Sequence, residues 1–113
     1  MRCNLNCICK QEQFAYIKKT GEEFAQYLQA KNIDCGHENY WKENRCIDIN
    51  IGFVIEDISL NQLKATMERF FGKFGSIESG ETNYTMNCAI YKSLPEILES
   101  DLIFLTLFVE KQK

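Results

Sequence analysis

Polar and apolar residues trade places along the first ten positions: Cys3, Leu5, Cys7 and Cys9 alternate with Arg2, Asn4, Asn6 and Lys10, and only Ile8 breaks the order. A period of two belongs to a strand, and buried cysteine behaves as a small hydrophobe, so the sequence predicts a first strand with thiols on its core face. The period then changes. Phe14, Ile17, Phe24 and Leu28 share one helical stripe with Gly21 between them, predicting a helix over 11–31. Thr20 with Glu23 also forms a capping box, which leaves two shorter helices as an alternative.

The clearest strand is CIDINIGFVI, in which Ile47, Ile49, Ile51, Phe53 and Ile55 point one way and Cys46, Asp48, Asn50 and Gly52 the other. A weak strand at 40–42, turning through Glu43, Asn44 and Arg45, would pair with it as a hairpin. Ser59, three before Gln62, caps a second helix with Leu60, Leu63, Met67, Phe70, Phe71 and Phe74 on its apolar face and Gly75 as its stop. Ser79, Gly80 and Glu81 make a turn before a strand at 83–91, where Tyr84, Met86, Cys88 and Ile90 fall on one side. Ser93 with Glu96 repeats the capping device and opens a short helix to about residue 100. The last run, LIFLTLFV at 102–109, is apolar at both parities, so a third helix or a partner must cover its second face.

These elements predict a single α+β domain over 1–113. Its form is a two-layer sandwich: a mostly antiparallel sheet of four to five strands, two main helices on one face, ferredoxin-like organisation, and an added C-terminal strand. A chain of 113 residues with 45% hydrophobic and 26% charged content and one proline can bury a core without a covalent staple. The first residues lack the apolar run of a signal peptide, and the longest apolar stretch is eight residues against the roughly 20 of a membrane helix. A cytoplasmic setting, with six reduced cysteines, is the expectation.

Cysteine is the residue that invites chemistry. The spacing C-x3-C-x-C of Cys3, Cys7 and Cys9 resembles the C-x3-C-x2-C motif of radical S-adenosylmethionine enzymes but is one residue short, and it covers seven residues. Cys3, Cys7, Cys9, Cys35 and His37 form a candidate zinc set of soft ligands, without the C-x2-C spacing of a zinc knuckle. Cys35 with His37, the sole histidine, is a candidate thiol–imidazole pair for a thiol enzyme, placed in a turn and lacking an orienting third residue. No phosphate-binding glycine loop is present. The reading these residues support is non-catalytic, with no cofactor.

Charge distribution supplies the functional expectation. Within 74–110 only Lys92 opposes Glu78, Glu81, Glu96, Glu99, Asp101 and Glu110, an acidic lobe that repels nucleic acid and speeds encounter with a basic protein. Glu78, Glu81, Tyr84, Glu96, Glu99 and Asp101 are the candidate partner-binding residues, aromatic and acidic side chains being apt for such a surface. In size, acidity and lack of catalytic motifs the chain resembles bacterial immunity proteins, which mask a toxin nuclease; the resemblance lies in composition, and no motif carries it. A homodimer through the apolar last strand is the alternative use of that strand.

Overall fold

The computed structural model describes residues 1–41, 46–90 and 103–111. Six strands and two helices follow in the order β1 (Arg2–Lys10), α1 (Phe14–Tyr27), β2 (Lys31–Trp41), β3 (Cys46–Val54), α2 (Leu60–Phe70), β4 (Phe74–Ser79), β5 (Asn83–Ile90) and β6 (Ile103–Glu110). They make one antiparallel sheet ordered β2-β3-β1-β6-β5-β4. The sheet therefore has more strands than the expected four to five. The C-terminal strand is not an addition at the edge, because β6 runs between β1 and β5 at the centre.

Alternation is realised in β1 and β3. Leu5 stands opposite Ile51 on one side and Leu107 on the other, and Leu107 in turn opposite Met86, so one row of apolar side chains crosses four strands. All four are buried, and both helices cover this face. Phe24 of α1 joins the layers: its ring lies 6.2 Å from Phe53 of β3 and 5.1 Å from Phe71 just beyond α2. Tyr27 of α1 meets Phe70 of α2 at 5.3 Å and accepts a 3.1 Å hydrogen bond from Arg69. Helix 1 is continuous through Gly21, a buried position, and the alternative of two shorter helices is not realised.

Ser59 caps α2 as the sequence predicts. Its hydroxyl accepts from the Gln62 amide at 3.1 Å, and the Gln62 side chain accepts from the Ser59 amide at 3.2 Å. Ser59→Ala is expected to lower unfolding free energy by about 1 kcal/mol, read from the urea midpoint at unchanged slope.

Three expectations are corrected. Helix 1 ends at Tyr27 instead of near residue 31; Gln29 follows at φ 56°, a left-handed residue that turns the chain into β2. Strand 2 then covers Lys31–Trp41, far more than 40–42, and takes in Cys35 and His37, which were expected in a turn. The second helix stops at Phe70, and Phe74 and Gly75, expected at its end, belong to an edge strand that shifts register between Phe74 and Ser76. The expected capped helix at Ser93 lies outside the described residues.

Candidate functional site: the second face of the sheet

The second face of the sheet carries no described helix, and its side chains follow from the same parity that built the core. Thr106 of β6 stands opposite Asn6 and Asn87, Asn6 opposite Asn50, Asn50 opposite Gly36, and Asn87 opposite Ser76, a single row across the sheet that is polar on five strands and glycine on β2. Hydrogen bonds knit most of it. The Asn6 amide donates to Asp48 at 2.6 Å and to Asn50 at 3.0 Å, the Thr106 hydroxyl donates to Asn87 at 3.0 Å, and the Asn87 amide donates to Ser76 at 3.3 Å.

Bulky apolar residues flank this polar row. Phe104 is 62% exposed, Ile8 42% and Phe108 38%. The register of β1 and β6, carried one residue past its last pair, brings Ile8 opposite Phe104. Phe104 and Phe108 are four residues apart on one strand, about 13 Å, with Thr106 between them. The two-faced apolarity of the last strand is thus real: Ile103, Leu105, Leu107 and Val109 are buried under the helices while two phenyl rings face outward. Both edges of β6 are paired, so this strand can meet a partner only through its outward face.

Acidic side chains stand around the apolar centre. Asp48, Glu78 and Glu110 occupy outward positions on β3, β4 and β6, and Asp34 on β2 is opposite Gly52, an outward position of β3. The described cations in register on this face are Arg2 and Lys10, at opposite ends of β1, and Lys31 of β2, which pairs with Val54 in the same row as Arg2. At the Arg2 end a groove of about 740 Å³ opens beside Phe108, lined also by Asn4 and Asn83 and by charges of both signs, Glu81 and Glu110 against Arg2 and Lys111.

The expected partner-binding residues are only in part described. Glu78 lies on exposed edge strand β4 and Glu81 in the adjoining turn, where it shares the groove with Glu110. Tyr84 sits on the helix-covered side, partly buried against the core, with the Lys111 ammonium 4.7 Å from its ring centre. Glu96, Glu99 and Asp101 lie outside the described residues. The sequence reading missed Ile8, Phe104, Phe108 and the amide row; their signal was present as the off-pattern Ile8, the outward asparagines and the odd parity of the last strand's phenylalanines.

The candidate metal and thiol residues fall elsewhere. Cys3, Cys7 and Cys9 are buried beneath the helices, and burial pushes the Cys3 and Cys9 thiols up to about 11 from 9.0 and Cys7 further still, aided there by Cys9 and Asp48. Among the described residues no three His, Cys, Asp or Glu side chains converge as a metal site. Cys35 and His37 are two apart on one face of β2; His37 is exposed, with its ring 4.9 Å from Phe14. Burial raises the Cys35 thiol, with Lys18 opposing, Glu22 and Asp34 adding, the reverse of the shift that makes a nucleophile. No buried side-chain nitrogen or oxygen among the described residues lacks a partner. No described helix is long and apolar enough to cross a membrane. Compared with protein-family models, with curated proteins and with solved structures, the chain matches none.

Proposed function

We propose that this chain is a non-catalytic cytoplasmic binding protein, an inhibitor of the immunity type that neutralises a basic partner such as a toxin nuclease. The observation that supports the reading is the acidic C-terminal part of the chain: Glu78, Glu81 and Glu110 are exposed around β4 and β6, in a segment whose formal charge is strongly negative. Such a surface draws in a cationic partner over a Debye length and turns nucleic acid away, which suits a protein that occupies a nuclease's substrate cleft. We read β2, β3, β1 and β6 with the two helices as ferredoxin-like in organisation, with β4 and β5 inserted before the last strand; that likeness carries no function by itself.

The test begins with the tagged chain in lysate of the source cell. It is expected to retain a protein of pI above about 9 that salt releases, and to suppress that protein's nuclease activity at equimolar ratio. Charge reversal at Glu78, Glu81, Glu96, Glu99 and Asp101 together is expected to slow association at least about tenfold at low ionic strength and to flatten its salt dependence. Retention that ignores both salt and charge reversal removes the reading.

A further inference from the structure

Strand β4 closes one end of the sheet, and only one of its two sides is paired among the described residues. Its ladder with β5 is anchored at the turn, where the Gly80 amide donates to the Asn83 carbonyl at 2.9 Å. Bonding alternates along an antiparallel ladder, so Glu78, opposite Thr85, turns its amide and carbonyl toward β5 while Ile77 and Ser79 turn theirs away from the sheet. Every residue of β4 after Phe74 is exposed, Ile77 at 39%. We propose that β4 is a self-pairing edge: a second copy of the chain adds its own β4 antiparallel, Ile77 of each copy opposite Ser79 of the other, with the charge of Glu78 controlling the contact. This goes beyond the reading of the chain as a binder of a basic protein and does not depend on it.

The strand's own sequence selects the occupant and the register. With Ile77 opposite Ser79 of the copy, the open residues of one chain meet those of the other, and the amide and carbonyl of each are satisfied without taking a bond from either sheet. A two-fold centred on Ile77 would match that residue alone, because the register shift between Phe74 and Ser76 takes Gly75 out of the ladder. The favoured register sets Glu78 directly opposite Glu78 of the copy, on the face away from the helices, where its neighbours are Ser76 and Thr85. Like charges so placed oppose the pairing. It is therefore withheld while both carboxylates are charged and released when a cation or a neutral side chain faces one of them. A foreign strand would meet the same open groups, but only a copy makes the contact depend on residue 78 of both chains at once. The assembly also closes. Each copy has one β4, and β2, left at both outer ends, loses register near each of its own ends, so pairing stops at the dimer.

The experiment is sedimentation velocity of the full chain, of Glu78→Lys, and of their equimolar mixture, at low ionic strength and about 0.5 mM, a concentration suited to a small interface. Each protein alone is expected to run as a monomer. The mixture is expected to dimerise at least about fivefold more tightly than either, because a carboxylate then faces an ammonium. Ser79→Pro in both chains is expected to abolish that dimer while moving the thermal midpoint by only a few degrees, since the amide it removes points out of an edge strand. Hydrogen exchange gives a readout that needs no proline: the Ile77 and Ser79 amides exchange fast in the monomer and are protected in the mixture. A mixture no tighter than either protein alone overturns the inference, as does a dimer that survives Ser79→Pro or leaves those two amides fast. None of these results touches retention of a basic protein or suppression of its nuclease activity, so the two readings fail separately.

Discussion

Between pH 8 and pH 11 the protein is expected to lose several kcal/mol of unfolding free energy, and a variant with Cys3→Ala and Cys9→Ala to lose markedly less. The cause is burial: the folded chain holds the Cys3 and Cys9 thiols at about 11 against an ordinary 9.0, because a thiolate beneath the helices would give up its water. A group whose pKa is raised by folding contributes its stability in full below the unfolded value. That contribution disappears as pH rises from about 9 through about 11, since the unfolded chain releases its proton first. For Cys3 and Cys9 the loss is about 2 kcal/mol each, after allowance for solvent screening near the ends of the strand. Cys7, more deeply buried, adds to it in the same direction.

The measurement is urea unfolding at half-unit steps of pH for both proteins. The alanine variant starts from a lower stability at pH 7, through the cavities it leaves, so the slope against pH is the readout and the intercept is not. All other side chains are the same in the two proteins and cancel in the comparison. Parallel slopes would show that these thiols are not held neutral by the fold. The same energetics bear on the cysteine chemistry that the first nine residues invite: metal binding and nucleophilic attack both need a thiolate, and on β1 the fold opposes the thiolate at every position.

The elements that could be read from the sequence are those whose two sides meet different solvents. Strands β1 and β3 have a dry face and a wet one, so Leu5 and Ile49 alternate with Asn6 and Asn50 and the period of two stands out. The α2 start was legible because Ser59 and Gln62 interact locally. Edge strands β2 and β4 were hidden by the lack of such contrast. In KNIDCGHENYW only Ile33 and Cys35 pack toward the core among the residues up to His37, and FGSIES is exposed after its first residue. Without a dry face there is no alternation, and Phe74 and Gly75 look like the close of a helix.

The second face of the sheet was legible in composition but not in place. Apolar residues at both parities of 102–109 announced a strand with two apolar sides, yet which neighbours flank it depends on pairing Leu107 with Leu5 across almost the whole chain. That contact is non-local, and no short-range pattern encodes it. Only the strand order shows that Phe104 and Phe108 emerge beside Asn4, Asn6 and Thr85, in the middle of the face opposite the helices.

Gly21→Val is expected to be among the most damaging single substitutions, at about 3 kcal/mol or more, the upper end of the range for overpacked cores. Gly21 lies in the middle of α1, where glycine ordinarily costs about 1 kcal/mol against alanine, and the sequence marks it as a weak point. In the fold it is the place where the helix rests on the sheet. A Cβ added there would come within 2.5 Å of the Ile51 Cδ1 and 3.1 Å of the Leu5 Cδ2, both on the central strands and both buried. Those atoms are the far ends of flexible side chains, so Gly21→Ala can be met by rotation of Ile51, and its gain in helix propensity offsets much of that strain; the net change is expected within about 1 kcal/mol. Valine's branched methyls leave no such escape and push α1 off β1 and β3. Urea denaturation of the two variants side by side checks the account. Equal loss from alanine and valine would mean that the position is sensitive to backbone freedom alone, and that the close approach of helix to sheet does not govern it.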